Sequence, residues 1–405
     1  MKILFVLKSF AAGGVERITL VLSHMLAQRG HEVTLAVFRN QGELADKVPR
    51  EVRLRVLESS TTLAGRALAL RADPLSLAQM ARPVLLTAKS DRSLRYLPGL
   101  TRLLREERPD AVVAAMPYVN LVVLWARGLA GTRSRVLVME HIEISQYLAE
   151  REGWRHKYLL PLMGRSYPKA EVVGAVSNGV ADDLVRSSGI DRNLVRILYN
   201  PVVTDEMRVM ADQPVEHPWF QSGAPPVVLN VGRLAEQKDH VTLLQAFAKV
   251  RSKRQLRLVI LGAASSKEKT AERQSELMAL ASALGVEDDV YLPGFDANPY
   301  AYMAKAAVFV LSSRYEGLPT VLVEAMACGC PVVSTACPGS VEILAGSRYG
   351  QIVPIGDADA LGEAIITSLG SPPHEEALKR RSLDFSAECS VEQYESVLAG
   401  QYRVR

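Results

Sequence analysis

Short apolar runs and amphipathic helical patterns alternate along most of the chain. Glycine, proline and asparagine bound many of the runs, which is typical of parallel strands buried on both faces of a sheet. A first series of strands is predicted at Ile3–Leu7, Val33–Phe38, Ala111–Ala115, Val136–Met139 and Glu171–Ala175. A second series is predicted at Val227–Val231, Leu258–Leu261, Val290–Leu292, Val308–Leu311 and Pro331–Ser334. Two such series predict an α/β protein with two Rossmann-like, doubly wound parallel-sheet domains.

A polar stretch with weak apolar periodicity separates the two series. It runs from Asn200 to Pro226 and contains several prolines and a mixture of charges. At 405 residues the chain also exceeds the size at which one hydrophobic core stops growing. We therefore expect a first domain over residues 1–200 and a second domain over residues 201–384.

The composition is that of an ordinary globular protein, with 48% hydrophobic and 23% charged residues. The apolar run that opens the chain has only five residues before Lys8, which is too short for a signal peptide or a membrane span. We therefore expect a cytoplasmic protein. The four cysteines form no CxxC pair, which favours reduced thiols over a disulfide framework or a zinc site.

The net charge of +4 is unevenly distributed along the chain. The segment 63–108 holds nine basic and four acidic residues, and its arginines are interleaved with leucines. This pattern is typical of a face that binds anionic lipid headgroups, and equally of a solvated helix whose leucines face a core. Both interpretations stay open. Nucleic acid is not expected as a partner, because Tyr96 is the only aromatic residue in the segment.

A glycine pair, Gly13 and Gly14, follows the first predicted strand and precedes an amphipathic helix that is expected to end at Gly30. Free N–H groups at the start of a helix favour an anion, and glycine lets a ligand approach the backbone closely. The sequence here lacks the GxGxxG pattern and the P-loop lysine, which weakens the dehydrogenase and nucleotide-hydrolase interpretations. A simple tight turn is the alternative.

Two cations follow the predicted strand Val227–Val231. Arg233 and Lys238 come just after its carboxyl end, where open α/β sheets bind ligands. A forked guanidinium and a point-charge ammonium together suit a diphosphate. The alternative is a surface loop with two solvated cations.

Two carboxylates follow the predicted strand Val308–Leu311. Glu316 is expected in a loop, and Glu324 in a helix whose first residue is Pro319. Each carboxylate can accept hydrogen bonds from sugar hydroxyls. An acidic side chain among apolar neighbours needs a partner, so the alternative is that Glu324 pairs with an arginine or caps a backbone group.

In this order and spacing, the residues resemble the retaining glycosyltransferases of family 4, which have the GT-B fold of two Rossmann-like domains facing across a cleft. The resemblance covers nearly the whole chain, including the glycine pair, the Gly232-Arg233…Lys238 loop and two glutamates separated by seven residues. The tail from Phe385 to Tyr394 is similar to the family's C-terminal helix, which crosses back to the first domain, so 385–405 is assigned there. One departure is Gly262-Ala263-Ala264, where the family usually has Gly-x-Gly.

The resemblance implies roles for individual residues. Arg233 and Lys238 would hold the donor diphosphate. Glu324 would bind the ribose and Glu316 the transferred sugar, while Gly14 would pack against the donor phosphate or sugar. The implied donor site consists of Gly13, Gly14, Arg233, Lys238, Glu316, Gly317, Leu318, Pro319, Thr320 and Glu324.

A histidine beside the reacting sugar is also implied. His141 follows the predicted strand Val136–Met139 at the corresponding place, although a histidine that merely packs a loop is the alternative. The implied catalytic residues are therefore His141, Glu316, Arg233 and Lys238. The implied reaction is a front-face transfer in which the leaving diphosphate helps to deprotonate the acceptor.

Neither a metal ion nor a cofactor is expected, because protein cations would stabilise the diphosphate. The donor is expected to be a nucleotide-sugar, with a UDP-sugar favoured, although these residues do not themselves distinguish uridine from guanosine or adenosine. Asp357-Ala358-Asp359 has the form of a DxD metal motif. It is interpreted instead as the cap of a helix that begins near Ala360.

The acceptor is expected to be a glycan or a polyprenyl-linked glycan at the inner face of the membrane, and a soluble acceptor is the alternative. The segments 293–300 and 337–344 look most like family members that build bacterial surface polysaccharides or lipid-linked glycans. Two alternatives remain, a nucleotide-sugar epimerase of the same fold and a non-catalytic regulator that binds sugar nucleotides. An epimerase needs additional acid and base groups, and the complete set of cations and glutamates argues against a regulator.

Overall fold

The computed structural model describes residues 1–11, 13–86, 92–150 and 158–401. They form two compact units. Unit 1 contains Met1–Pro201 and the residues from Ser390 onward, and unit 2 contains Val202–Cys389. Each unit is built on one parallel sheet.

The strands of unit 1 are β1 (Lys2–Leu7), β2 (Glu32–Val37), β3 (Arg53–Val56), β4 (Ala111–Ala115), β5 (Arg135–Glu140), β6 (Val172–Ala175) and β7 (Val195–Ile197). They pair in parallel in the order β3-β2-β1-β4-β5-β6-β7. Every residue of β4 is buried. Continuous apolar strands of this kind are expected where both faces of a parallel sheet are covered.

Helices occur between the strands of unit 1. They are α1 (Gly14–Gln28), α2 (Thr62–Ala72), α3 (Leu77–Met80), α4 (Leu97–Glu107), α5 (Pro117–Ala130), α6 (Ile144–Glu150), α7 (Leu159–Ser166) and α8 (Asn178–Ser188). In α1 the apolar residues Ile18, Leu22 and Leu26, which recur with helical spacing, are buried.

Unit 2 contains the strands β8 (Val227–Val231), β9 (Arg257–Leu261), β10 (Val290–Gly294), β11 (Val308–Leu311), β12 (Val332–Thr335) and β13 (Gln351–Val353). They pair in parallel in the order β10-β9-β8-β11-β12-β13. Its helices are α9 (Asp205–Ala211), α10 (His240–Arg251), α11 (Lys267–Ala283), α12 (Pro299–Lys305), α13 (Thr320–Ala327), α14 (Pro338–Ile343), α15 (Ala358–Gly370) and α16 (Glu375–Ser382).

The last helix, α17 (Ala387–Leu398), belongs to unit 1 from Ser390 onward. Tyr394 is buried, and Glu395 pairs with residues that follow α1. Its carboxylate accepts from Arg29 Nη1 at 2.7 Å and lies 2.8 Å from His31 Nε2. These hydrogen bonds hold the pKa of the Glu395 carboxyl below its usual value.

All ten predicted strands are present, with ends that differ by at most two residues from the predictions. Three strands that the sequence did not predict, β3, β7 and β13, each lie at an edge of a sheet. An edge strand is covered on fewer sides, so it does not need a continuous apolar run. In β3, for example, Arg53 and Arg55 alternate with Leu54 and Val56, and no residue is fully buried.

The strand orders fix where ligands can bind. In each sheet the order reverses beside the first strand, between β1 and β4 in unit 1 and between β8 and β11 in unit 2. Open α/β sheets bind ligands outside the carboxyl ends of the strands at this switch point. The loops after β1, β8 and β11 are therefore the expected ligand-binding positions.

Candidate functional site

The loops that follow β8 and β11 in unit 2 are joined by hydrogen bonds. Gln237 Nε2 donates to the Tyr315 carbonyl at 2.9 Å, and the Arg314 N–H donates to the Gln237 carbonyl at 2.8 Å. The Ser312 hydroxyl donates to the Lys238 carbonyl at 2.7 Å. Because backbone groups of both loops take part, the side chains that the loops carry are held in fixed relative positions.

Lys238 and Glu316, one from each loop, form a partly buried ion pair. Lys238 Nζ lies 2.6 Å from Glu316 Oε1, and the two side chains are 12% and 11% exposed. The Ser313 hydroxyl donates to the same carboxylate oxygen at 2.8 Å. The stem of Lys238 lies over Gly232, where an added Cβ would come within 3.2 Å of the lysine Cε. Two residues that the sequence analysis assigned to different parts of the donor are therefore direct partners.

Asp239, which sequence reasoning missed, shapes the chain immediately after Lys238. Its φ of 47° is in the left-handed region, and its carboxylate accepts from the Thr242 N–H at 3.4 Å as the cap of α10. The other oxygen lies 3.3 Å from Arg314 Nε. This residue therefore sets the direction of the loop after β8 that carries Lys238, called the lysine loop below. It also connects that loop to the loop after β11.

His240 is buried directly behind the lysine loop. Its Nε2 lies 3.2 Å from Asn230 Oδ1, and Asn230 in turn donates to the Val310 carbonyl at 2.8 Å. Burial, together with the nearby charges of Lys238 and Arg273, lowers the pKa of His240 to about 4. The ring is therefore neutral at physiological pH and adds no charge to the site.

Arg233, the other predicted cation, is exposed on the same loop. Its Nη2 lies 3.4 Å from Gln237 Oε1, the side chain whose amide nitrogen bonds across to the β11 loop. The guanidinium is thus accessible to a ligand at the carboxyl end of β8, which is where the sequence placed it.

The loop at residues 262–264 keeps the first glycine of the family's Gly-x-Gly pattern and departs from it at Ala264, whose N–H donates to the Thr270 hydroxyl at 2.9 Å. Gly262 has a φ of 153°, and an added Cβ would collide with the Gly232 carbonyl oxygen. The Gly262 N–H donates to the Gly294 carbonyl at 2.7 Å, and the Leu234 N–H donates to Ala263 at 3.1 Å. Glycine is thus required at position 262, while Ala263 is held through its backbone and tolerates a side chain.

Helix α13 begins one residue later than predicted. Pro319 precedes it with an extended ψ of 91°, so Thr320 and not Pro319 is the first helical residue. The prediction fails here because the fixed φ of proline is compatible with an extended residue as well as with a helical one. Gly317, Leu318 and Pro319 are buried and Thr320 is half-buried, and all four lie in the segment that joins Glu316 to the helix.

Glu324 is half-buried and not fully enclosed by its apolar neighbours. The residues around it in α13, Leu322, Val323, Ala325 and Met326, are buried. The carboxylate therefore lies on the more open side of the helix, where it can receive a ligand hydroxyl.

In unit 1 the glycine pair begins α1, but a carboxylate of the chain itself occupies the space beside Gly13. Gly13 caps the helix, and an added Cβ there would collide with Glu16 Oε2. Burial raises the pKa of Glu16 above its usual value. Gly14 has open space around its Cα. Sequence reasoning missed Glu16, although an acidic residue in the first turn of a helix is favoured by the helix dipole.

His141 follows β5 at the carboxyl edge of the sheet of unit 1 and is half-buried. It borders a cavity of about 10 Å³ whose wall includes Phe5, Ile18 and Tyr394, close to the minimum volume for one water molecule. Burial lowers the pKa of His141 to about 4, although a hydrogen bond with Asn200 opposes the shift. Its Nδ1 has no hydrogen-bond partner among the described residues.

The basic segment 63–108 divides into two parts, apart from Lys89 and Asp91, which lie outside the described residues. In α4 the leucines are buried and the arginines face solvent, which is the structural alternative foreseen for this segment. Before residue 87, four leucines are between 51% and 80% exposed, namely Leu63, Leu75, Leu77 and Leu86. Arg71 and Arg82 are exposed among them.

Three further features concern metal, membrane and redox chemistry. Asp357 caps α15 by accepting from the Asp359 and Ala360 N–H groups, which confirms the capping interpretation and corrects the helix start to Ala358. Within the described ranges, no group of three or more His, Cys, Asp and Glu side chains could hold a metal ion. No helix in the described part of the chain is both long and apolar enough to cross a bilayer. The four cysteines are free thiols.

Comparison with known families gives two matches that together cover most of the chain. Residues 12–206 match Glycosyltransferase Family 4. Residues 216–384 match Glycosyl transferases group 1. The first match ends within the polar stretch, and the second begins near its end.

Two curated relatives come from Campylobacter jejuni. The chain is 31% identical, over 65% of its length and 68% of the relative, to N-acetylgalactosamine-N,N'-diacetylbacillosaminyl-diphospho-undecaprenol 4-alpha-N-acetylgalactosaminyltransferase. It is 25% identical, over 98% of both chains, to the GalNAc-alpha-(1->4)-GalNAc-alpha-(1->3)-diNAcBac-PP-undecaprenol alpha-1,4-N-acetyl-D-galactosaminyltransferase.

Among solved structures, the fold resembles that of Anabaena HepE in complex with UDP and glucose. The TM-score is 0.75 with 20% identity, and the match covers 99% of this chain and 100% of HepE. At this identity the likeness concerns the fold, which is the two-domain GT-B architecture that the sequence predicted.

Proposed function

The chain belongs to glycosyltransferase family 4, and on that premise we propose that it transfers a sugar from a UDP-sugar to a lipid-linked glycan with retention of anomeric configuration and without a metal ion. The observation that carries this proposal is the Lys238–Glu316 pair. Its two charged groups lie 2.6 Å apart at the switch point of the sheet of unit 2. A cation for phosphate and a carboxylate for sugar are thereby fixed side by side.

The donor is assigned to unit 2 on the chemistry of its loops. Arg233 and Lys238 suit the two phosphates of a nucleoside diphosphate, one as a fork and the other as a point charge. Glu316 and Glu324 follow along the chain and accept hydroxyl hydrogen bonds from the transferred sugar and the ribose. When a diphosphate competes for Lys238, the Glu316 carboxylate is released toward the sugar, so the ion pair is a resting arrangement of the site.

The base and the acceptor are inferred from the relatives. HepE was solved with UDP and glucose, and both Campylobacter relatives are named for acceptors that end in diphospho-undecaprenol or PP-undecaprenol. UDP is therefore the first nucleotide to test, with UDP-N-acetylgalactosamine the first sugar donor and an undecaprenyl-diphosphate glycan the first acceptor.

The proposed reaction is a front-face displacement. The bond between the anomeric carbon and the diphosphate oxygen breaks, and the acceptor oxygen bonds to the same face of that carbon. The acceptor hydroxyl proton passes to the departing phosphate oxygen. Arg233 and Lys238 stabilise the negative charge that grows on the diphosphate. His141, neutral because of its lowered pKa, contributes hydrogen bonding without adding a competing charge.

A lipid-linked acceptor places the reaction at a membrane, and segment 63–86 is the proposed contact. Four exposed leucines with exposed arginines among them fit an interface that contains both acyl chains and anionic headgroups. We assign the chain to the cytoplasmic face of the membrane, where nucleotide-sugars are available.

The first experiment is a thermal-shift panel with UDP, GDP, ADP and their sugar conjugates. A ligand at about 100 times its Kd stabilises a protein by about 2.7 kcal/mol. We expect UDP and one UDP-sugar to give this stabilisation in the wild type and not in Lys238→Ala. Lys249→Ala is the matched control, because Lys249 forms an exposed ion pair with Asp359 in the same unit.

The second experiment follows transfer to an undecaprenyl-diphosphate glycan in the presence of EDTA. We expect α-linked product from an α-linked donor, seen in the coupling constant of the anomeric proton by NMR. A β-linked product would overturn retention, and loss of transfer with EDTA would overturn metal independence. In the thermal-shift panel, an unchanged melting temperature with every nucleotide would overturn the donor site itself.

A further inference from the structure

A buried polar cluster lies beside His141 and takes no part in the proposed reaction. Its members are Glu140 at the end of β5, Asn120 in α5 and Tyr167 just after α7, and each is at most 1% exposed. Glu140 Oε1 accepts a hydrogen bond from the Tyr167 hydroxyl and another from Asn120 Nδ2 at 3.0 Å. Neighbouring residues of a strand point to opposite faces, so Glu140 reaches this cluster while Met139 and His141 border the cavity near Tyr394.

Asn120 connects the cluster to the backbone that carries His141. Its Nδ2 lies 3.0 Å from the Met139 carbonyl as well as from Glu140 Oε1 and the Tyr167 hydroxyl. One amide therefore binds the main chain two residues before His141 and the side chain one residue before it. Rotation of this amide would remove the side-chain hydrogen bond to the Met139 carbonyl, near the end of β5.

Two buried oxygens in the cluster have no hydrogen-bond partner in the described part of the chain, Glu140 Oε2 and Asn120 Oδ1. An amide that donates to one oxygen of a carboxyl group can present its own oxygen to the other. A proton on Glu140 Oε2 would then be donated to Asn120 Oδ1, and a single proton would satisfy both atoms. A carboxylate would leave two buried acceptors unsatisfied, which is costly in a site of low dielectric.

The surroundings of the cluster favour the protonated acid. Its other titratable group is Tyr167, whose pKa is raised well above the usual value by burial and by the nearby Glu140 carboxylate, so it remains a donor. Burial raises the pKa of Glu140 to about 7, although the hydrogen bonds from Tyr167 and Asn120 oppose the shift. Among the described residues, the contacts recorded for this side chain are with these two partners, and neither is a cation.

We propose that Glu140 is a positioning residue that acts as a neutral carboxylic acid, whose proton is shared with Asn120 and thereby fixes the end of β5 and orients His141. The proposal rests on the proposed function, in which His141 lies beside the reacting sugar. Ionisation of Glu140 breaks the acid–amide pair, the amide turns, and the backbone before His141 loses its anchor.

The protonation state is tested directly by carboxyl ¹³C NMR on protein labelled at glutamate side chains. We expect one carboxyl signal, absent from Glu140→Gln, that titrates with a midpoint near 7. A midpoint in the ordinary range for glutamate would overturn the proposal. This measurement needs no substrate, so it decides the proposal even if no sugar transfer is found and the proposed function fails.

The positioning role is tested by the pH dependence of kcat in wild type, Glu140→Gln and Glu140→Leu. Glutamine is neutral and can donate to Asn120 Oδ1, so it reproduces the protonated acid. We expect the wild type to lose activity above about pH 7, and Glu140→Gln to lack this decline. At pH 6 we expect Glu140→Gln to stay within about threefold of the wild-type kcat and Glu140→Leu to fall by at least about tenfold, with the donor KM unchanged.

A Glu140→Gln variant that keeps the wild-type alkaline decline, or one that is inactive at every pH while still folded, would overturn the positioning role. The first result would assign the decline to another group. The second would show that a carboxylate is required. If Glu140→Leu does not fold, the comparison between wild type and Glu140→Gln still decides the question.

Discussion

The loop pair around Lys238 in unit 2 and the end of β5 around His141 in unit 1 handle charge in opposite ways. In unit 2 a cation and a carboxylate remain 12% and 11% exposed and neutralise each other at 2.6 Å. In unit 1 burial lowers the pKa of His141 to about 4 and raises that of Glu140 to about 7. In the first region two opposite charges stabilise each other. In the second region burial favours the uncharged forms of the side chains.

This difference follows from what each region does in the proposed reaction. The donor diphosphate brings two negative charges, so its site must hold cations that can exchange one anionic partner for another. An acceptor hydroxyl is neutral, so a fixed charge beside it would only attract water or a wrong ligand. Substitutions in unit 2 should therefore lower activity because a charged side chain loses its partner. Substitutions in unit 1 should change how stability and activity depend on pH.

The largest effect is expected when the ion pair is broken from its acidic side. Glu316→Gln removes the carboxylate proposed to bind the sugar and leaves Lys238 without its partner, although Ser313 can still donate to the amide oxygen. We expect kcat/KM to fall roughly 10²–10³-fold, the loss typical for one preorganised polar contact to a transition state. Steady-state kinetics with a UDP-sugar measures it.

Asp359→Asn is the matched control for this substitution. It breaks the Lys249–Asp359 pair, in which both side chains are largely exposed. Exposed pairs contribute little to stability or function, so kcat/KM should change by less than about twofold. Equal losses in the two variants would show that the Glu316 effect is structural and would remove the contrast between the two regions.

A smaller effect is expected for His141, and it depends on pH. The lowered pKa means that the fold prefers the neutral ring, so the stabilising preference present above about pH 6.5 is lost as the pH falls toward 4. In His141→Gln this loss is absent. We expect the difference in free energy of unfolding between wild type and variant to change by on the order of 2 kcal/mol across that range, allowing for the partial exposure of the ring.

Urea unfolding at pH 7 and pH 4.5 measures this difference, and His374→Gln, at an exposed position, is the control. Other titratable groups make the stability of wild type and variant fall alike at low pH, and this common effect cancels in the difference between them. A constant difference between wild type and His141→Gln at the two pH values would mean that the ring titrates normally, and the two regions would then no longer differ in how they treat charge.

The sequence predicted the central strands and the donor-side residues because each has a local signal. A short, continuous apolar run such as β4 is typical of a strand that is covered on both faces of a sheet. A cation just after such a strand, such as Arg233, can be predicted to face a ligand because open α/β sheets bind ligands at the carboxyl ends of their strands. The edge strand β3 lacked this signal because its arginines alternate with apolar residues.

Side-chain partners between separate loops could not be predicted. The Lys238–Glu316 pair joins positions 78 apart, and no spacing pattern encodes such a contact. The same holds for Glu140, whose partners Asn120 and Tyr167 come from two other elements. Asp239 is an intermediate case. An aspartate before a helix indicates a cap, but its left-handed φ depends on how the two loops meet.

Asp239 offers a test of how far the lysine loop depends on backbone geometry. Asp239→Ala keeps the φ of 47° and loses both the cap and the Arg314 contact. We expect it to destabilise the protein by about 1.5 kcal/mol and to raise the donor KM. Asp239→Gly also loses the side chain but adopts this φ freely, so its stability should stay within about 0.5 kcal/mol of wild type.

Thermal unfolding and donor KM, measured on both variants, separate the two contributions. If glycine restores the stability but not the KM, the Arg314 contact positions the loop. If alanine and glycine are equally destabilised, the backbone conformation is not strained, and the side-chain cap accounts for the whole effect.

The smallest effect is expected at Asp357, which resembles a catalytic residue in sequence and has a structural role in the fold. Its carboxylate accepts from the Asp359 N–H at 3.0 Å and from the Ala360 N–H at 2.9 Å. Asp357→Ala should therefore cost about 1 kcal/mol of stability, and Asp357→Ser should recover most of it, because serine also caps helices. We expect kcat to be unchanged in both variants. A metal-binding role would instead make serine as inactive as alanine and make activity depend on added Mn²⁺, so kinetics with and without the ion distinguishes a helix cap from a DxD site.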